Sequence, residues 1–231
     1  MKPQLTPVQA RVLGVLVEKQ HTVPDTYPLS LNALVSGCNQ KNARDPVMEL
    51  AERDVQAALD ELRPRLFVIE SSGARVTRYS HNLGRVLKVP SQAEALLATL
   101  MLRGPQTTSE LRANSERFHR FADASSVEAF LEELATRPDS QGGALVVRLA
   151  RRPGEREARW AHLLSGEAAL AEAERQGDPA SAAAAPPANI LTLQDEVTRL
   201  RADLVQLQAV VAQVQAELGR LRGRVEGSDA G

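Results

Sequence analysis

Aromatic side chains are scarce in this sequence: Phe, Tyr and Trp together make up 3% of 231 residues, and there is one Trp. An interior built under that limit is filled by Leu, Val and Ala, which favours packed helices over large sheets. Cysteine is scarcer still. Cys38 is the sole thiol, so no internal disulfide can form, and neither CxxC nor HxxxH offers metal-ligand spacing. The histidines His21, His81, His119 and His162 stand far apart in sequence. A glycine-rich phosphate loop and a GxSxG elbow are both missing. Cys38, closing a short apolar segment, reads as a small buried residue rather than a nucleophile. These absences argue against an enzyme, a metal centre and a bound cofactor. No run of 18 apolar residues and no charged, apolar leader occurs either, so a reducing cytoplasm is the expected location.

Net charge is nearly absent too, at -1, but that figure hides a gradient. Residues 1–90 hold 12 Lys and Arg against 9 Asp and Glu, residues 91–166 hold 10 against 10, and residues 167–231 hold 6 against 10. A mildly basic front with an acidic tail meets the minimal electrostatic condition for a phosphate-binding surface.

What the sequence does contain is periodicity. Thr6-Pro7, with Gln9 completing a capping box, opens a helix whose stripe is Val8, Val12, Leu13, Leu16 and Val17, ending near Gln20. A proline-broken stretch follows, then LSLNALVSG as a short second helix stopped by Gly37, and ELAERDVQAALDELR as a third with Val55, Leu59 and Leu62 on one face. LFVIE and ARVTRYSHNL read as two strands around the turn SSG. The same order returns. QAEALLATLMLR, SELRANS capped by Thr107 with Glu110, and SVEAFLEELATR capped by Ser125 with Glu128 are helices, and ALVVRLAR and EARWAHLL are strands. RYSHNL (78–83) and RWAHLL (159–164) both fall on the last strand, so the repeat covers a whole module.

Helix, helix, helix, strand, turn, strand is the order of a winged helix. The expected fold is therefore mainly α with small β-hairpins (α+β): two tandem winged-helix domains at 1–90 and 91–166, a linker at 167–188, a C-terminal coiled coil at 189–226 and a disordered tail at 227–231. GDPASAAAAPPA has linker composition. Beyond it Ile190, Leu193, Val197, Leu200, Leu204, Leu207, Val211, Val214, Leu218, Leu221 and Val225 step by 3 and 4 without a break. Mostly β-branched a positions with Leu at d predict a parallel two-stranded coil, hence a homodimer. Glu196 and Glu217 at g face Arg201 and Arg222 at e of the partner strand in that register.

With the elements in place, the segments PDTYPLSLNAL, CNQKN and LRGPQT, occurring in that order, resemble the YceH-like family of bacterial proteins, over roughly residues 5–166. The resemblance implies a tandem winged-helix fold and brings no activity with it.

A winged helix places its third helix in the major groove and its wing along the backbone. The candidate DNA contacts are then Asn39, Gln40, Lys41, Asn42, Arg44 and Arg53 around the first third helix, Arg75 and Arg78 on the first hairpin, and Arg148, Arg151, Arg152, Arg156 and Arg159 on the second. Asn and Gln suit adenine edges, Lys and Arg suit phosphates or guanine. The other reading of Asn39, Gln40 and Asn42 is a polar turn bonded to its own backbone. The third helix of the second half carries Glu128, Glu132 and Glu133, which phosphates would repel, so its arginine-rich wing is the expected contact. Tyr79, His81 and Leu83, like Trp160, His162 and Leu164, should pack inward with each His bonded at its polar edge, while Arg78 and Arg159 leave by the outer face. Two functions fit: a dimeric DNA-binding protein, regulatory or architectural, or a protein-interaction scaffold of the kind that tandem winged helices form in chromosome-condensation accessory subunits.

Overall fold

Thr6 Oγ1 accepts from Gln9 N at 3.2 Å while Gln9 Oε1 accepts from Thr6 N at 3.0 Å, so α1 (Pro7–Thr22) starts where its capping box predicts. The computed structural model describes residues 4–72, 76–151 and 154–166. The linker, the coil and the tail, together with Arg75 and Arg152, lie outside the described residues. After α1 come β1 (Leu29–Ser30), α2 (Leu31–Cys38), α3 (Glu52–Leu62), β2 (Val68–Ser72), β3 (Thr77–His81) and α4 (Leu83–Leu87). The second half supplies α5 (Ser91–Arg103), β4 (Gln106–Thr107), α6 (Thr108–Ser115), α7 (Ala124–Ala135), β5 (Val146–Arg148) and β6 (Arg159–His162). The fold is α+β, with seven α-helices and two three-stranded antiparallel sheets among the described residues.

The two sheets have the same plan. In the first, β3 lies between β1 and β2; in the second, β6 lies between β4 and β5. Registers match residue by residue: Leu29 opposes Tyr79 as Gln106 opposes Trp160, and Val68 opposes His81 as Val146 opposes His162. RYSHNL and RWAHLL thus occupy equivalent positions of equivalent central strands. The two-residue strands β1 and β4 are additions to the expected order, as is α4. Three boundaries also move. α2 runs through Gly37 to Cys38, α7 is capped by Asp123 with Ser126 rather than by Ser125 with Glu128, and Leu83 opens α4 instead of continuing the strand.

Packing buries α1 and α5 on nearly every face. Val12, Leu13, Val15, Leu16 and Val17 on α1 have no exposure, and Ala93 to Leu102 on α5 are all buried. The two helices lie against each other at the centre, and one apolar cluster draws on both halves. Gly14 makes the close approach possible, since a Cβ there would sit 2.9 Å from Leu102 Cγ. Gly37 does the same for α2, where a Cβ would meet Val15 Cγ1 at 2.6 Å. Each fully buried Leu or Val of this seam contributes about 1.5–3 kcal/mol. Asp45 N donates to Leu102 O at 2.8 Å and Leu5 N to Leu164 O at 2.7 Å, joining the halves by backbone as well.

Candidate nucleic-acid interface

The loop from α2 to α3 was expected to present a row of contacts, and two members of that row, Asn39 and Arg44, turn inward while Gln40, Lys41 and Asn42 stay exposed. Asn39 Nδ2 donates to Leu50 O and its Oδ1 accepts from Leu50 N, both at 2.8 Å, which pins the two ends of the loop together. Gln40 Oε1 accepts from Lys19 Nζ at 3.3 Å and from Arg44 Nη2 at 2.9 Å. Arg44 is not a surface cation: its side chain is fully buried, forked onto the Glu18 carboxylate at 2.5 and 3.2 Å and bonded to Gly37 O. Burial alone would raise the Glu18 carboxyl, but the hydrogen bonds and charge of Arg44 hold it below the usual range. Arg11, also buried, donates to Cys38 O at 3.1 Å and to Pro46 O, and burial lowers its pKa. Cys38 is buried too, its thiol pushed up to about 12 by desolvation, which suits packing rather than nucleophilic attack. Lys41, Asn42 and Arg53 remain exposed, with Arg53 beside Asp54 at 3.6 Å.

The hairpin arginines divide in the same way. Arg78 is exposed, yet its Nη1 donates to Pro28 O at 2.8 Å and Thr26 O at 3.3 Å, tying the central strand to the segment before β1. Arg159 lies between two carboxylates, Glu110 at 3.0 Å and Glu155 at 3.3 Å, and also donates to Pro105 O, so its charge is spent inside the fold. Arg148 is more than half exposed, 3.7 Å from Glu128, with its guanidinium 5.7 Å from the Trp160 ring. Arg151 and Arg156 are exposed. Below them Tyr79 and Trp160 are buried at 6% and 3%, as expected. The histidines meet expectation only in part: His81 Nδ1 accepts from Leu83 N at 3.4 Å, but His81 Nε2 and His162 Nδ1 are buried without a hydrogen-bond partner among the described residues. Burial brings both down to about 4, helped at His81 by the charge of His21.

A third basic surface escaped the sequence reading. In the loop from α6 to α7, Arg117 and Arg120 are exposed, and Arg112 on α6 donates to Ala122 O at 3.1 Å. The available signal was the spacing of Arg117-Phe118 and Arg120-Phe121, two cations each followed by a ring, in a chain with four Phe.

A family model described as "Protein of unknown function, DUF480" matches residues 5–155. The chain belongs to the DUF480 family. It is 58% identical to a UPF0502 protein of Leptothrix cholodnii over 221 residues, covering 96% of this chain and 95% of that one. UPF0502 proteins of Burkholderia orbicola and Burkholderia thailandensis are each 56% identical, over 216 and 215 residues, covering 94% and 93% of this chain and 90% and 89% of theirs.

What this DUF480 chain offers a ligand follows from the inventory. Among the described residues no group of three His, Cys, Asp or Glu side chains could hold a metal, and no helix is long and apolar enough to cross a membrane. The amide side chains able to read bases at Asn39 and Gln40 are occupied within the loop. The exposed groups are the Asn42 amide and a larger number of cations at projecting points, and the cations suit contact with phosphates.

Proposed function

We propose that each half is a winged helix and that the chain is a non-enzymatic protein that binds double-stranded DNA, dimerised through its C-terminal coil. Three helices followed by a hairpin, with a short strand completing the sheet, support the winged-helix reading of both halves. The observation that carries the mode of binding is that Asn39 is bonded within the loop and Gln40 Oε1 is held by Lys19 and Arg44, while Lys41, Arg53, Arg151 and Arg156 are exposed. Such a surface is weighted toward the backbone, with the Asn42 amide exposed for a base edge, so the reading favours an architectural protein over a sequence-specific regulator. Two copies joined by the coil would bring four modules to one duplex and raise avidity.

Gel shift of the full chain with mixed-sequence duplexes at low salt tests this. Retention at micromolar protein, similar for unrelated sequences and weakening with salt, is the expected result; no retention overturns it. Leu204→Pro should give monomers in sedimentation and weaker retention. A Leu204→Pro variant that stays dimeric overturns the coil as the dimer contact.

One observation favours a second reading, a protein-interaction scaffold. The outward faces of both third helices carry an excess of acid, with Glu52, Asp60 and Glu61 against Arg53 exposed on α3, and Glu132 and Glu133 exposed on α7. Helices of that sign are repelled from a groove. A stoichiometric protein partner recovered after nuclease treatment, with no retention of duplex, would establish the scaffold instead.

A further inference from the structure

We propose that the loop joining α6 to α7 is a phosphate-contacting surface, with Arg117 and Arg120 as its contacts, working beside the α2–α3 loop of the first half. The inference rests on the DNA-binding reading and adds a site to it. Between Leu111 and Ala122 the sequence holds Arg112, Arg117, His119 and Arg120 against one carboxylate, Glu116.

The loop is built to hold those cations still. Three of the chain's four Phe residues gather here. Phe121 is 5% exposed and meets Phe130 edge-on at 6.0 Å and His119 at 4.7 Å. Phe118 packs against the core and faces His21 of α1 at 6.4 Å. Phe118 N and His119 N both donate to Ser115 O, at 2.8 and 2.9 Å, and Arg112 closes the far side on Ala122 O. Two inward rings thus alternate with two outward guanidinium groups. Neither Arg117 nor Arg120 has a carboxylate within salt-bridge distance among the described residues. A guanidinium whose backbone is already fixed loses less entropy on binding a phosphate than one on a mobile loop.

Position adds a second argument. Lys19–Gln40 and Glu18–Arg44 lay the first half's loop against the C-terminal half of α1, and His21 of the same stretch faces Phe118. Exposed Lys41 from one loop and Arg117 and Arg120 from the other therefore project from neighbouring supports on one helix. The partner that fits is a duplex phosphate backbone. The large exposed apolar residues, Val23, Val47, Leu66, Ile69 and Val76, all lie outside residues 112–122, so the loop offers charge without the apolar anchor that a protein interface centres on.

The test is anisotropy of the full chain with a short mixed-sequence duplex across a salt series. Arg117→Ala with Arg120→Ala should weaken low-salt binding roughly tenfold and flatten the slope of log K against log salt by about 2, one for each phosphate no longer neutralised. Arg117→Lys with Arg120→Lys should keep most of the slope. Both residues are exposed, so the thermal melt should match the parent chain. An unchanged slope in the Ala variant, with Arg151→Ala plus Arg156→Ala flattening it instead, overturns the loop and leaves DNA binding in place. A parent chain that binds no duplex overturns both. A loop that captures an acidic protein but leaves duplex binding unaffected overturns the phosphate assignment.

Discussion

The two halves share a register and differ in what holds it. Tyr79 and Trp160 occupy the same place in equivalent central strands, opposite Glu70 in one sheet and Arg148 in the other. Each of these charged residues reaches toward its own third helix, Glu70 to Arg63 just after α3 and Arg148 to Glu128 on α7, with the signs exchanged. The inter-helix loops differ more. The first is wired by buried charge, Arg44 on Glu18 with Arg11 beside it; the second is wedged by Phe118 and Phe121. Backbone pairing and the buried positions are shared by the two modules, and the polar wiring differs between them.

The largest effects should come from those two wirings. Glu18→Ala leaves the buried Arg44 guanidinium without its counter-charge and should cost about 3–5 kcal/mol. Phe121→Ala empties a packed site and should cost about 3–4 kcal/mol. Urea unfolding would give both values, in one transition each because the halves share a core. Acid separates them. The Glu18 carboxyl is held below its usual range, so its contribution is present at neutral pH and disappears as pH falls through its folded pKa. The destabilisation in Phe121→Ala should not vary with pH. A Glu18→Ala variant as stable as the parent would end the comparison.

How far this wiring could be read in advance depended on distance along the chain. Capping boxes at Thr6 and Thr107 and the stripe of α1 are local patterns, and they appear where expected. The recurrence of RYSHNL and RWAHLL pointed to a duplicated module, and the matched registers agree with it. β1 and β4 were not legible, because two-residue strands have no period and exist only through partners about fifty residues away. Arg44 looked like a phosphate contact since nothing near it in sequence marks Glu18, 26 residues earlier, as its partner. Arg159 has one partner near in sequence, Glu155 four residues before it, and one that the sequence does not mark, Glu110, 49 residues before it. Arg117 and Arg120 were passed over because a winged helix directs attention to its third helix and wing.

A smaller difference lies in the histidines. His81 and His162 are both held near 4, against an ordinary value of about 6.5, so between those limits the unfolded chain binds protons that the folded chain does not. Stability is therefore full above about pH 6.5 and falls as pH drops toward 4, by on the order of 2–3 kcal/mol per histidine. The halves should not respond equally. His81 Nε2 stands 3.7 Å from Glu94, whose carboxyl is raised by burial against the opposing Gly84 N–H. A carboxylate at that distance favours the protonated imidazole, which opposes burial at His81 and reduces its share of the acid destabilisation. Burial is the sole cause at His162, and no salt bridge reaches it among the described residues. In urea melts at about pH 7 and about pH 5, His162→Gln should remove more of the pH dependence than His81→Gln. Equal changes would mean that Glu94 does not distinguish the halves.

The exchanged ion pairs should give the smallest effect of all. Arg63–Glu70 and Glu128–Arg148 share the strand position but not the helix position, Arg63 following the last turn of α3 and Glu128 lying in the first half of α7; both are solvent-exposed pairs, with Arg63 and Arg148 each more than half accessible. Water screens such charges, and ordering two long side chains costs most of what the attraction returns. Arg63→Ala and Glu128→Ala should each shift the melting temperature by less than about 3 °C. Arg148→Ala should exceed Glu128→Ala, because Arg148 also lies over the Trp160 ring at 5.7 Å and that stacking remains when the carboxylate is removed. Restoring the first half's sign order in the second, by Glu128→Arg with Arg148→Glu, should leave melting close to the parent. A much lower melting temperature in that double variant would show that the sign of the hairpin's charge is fixed by the fold. An unchanged melt combined with weaker duplex binding would show that Arg148 is held at that register for its ligand.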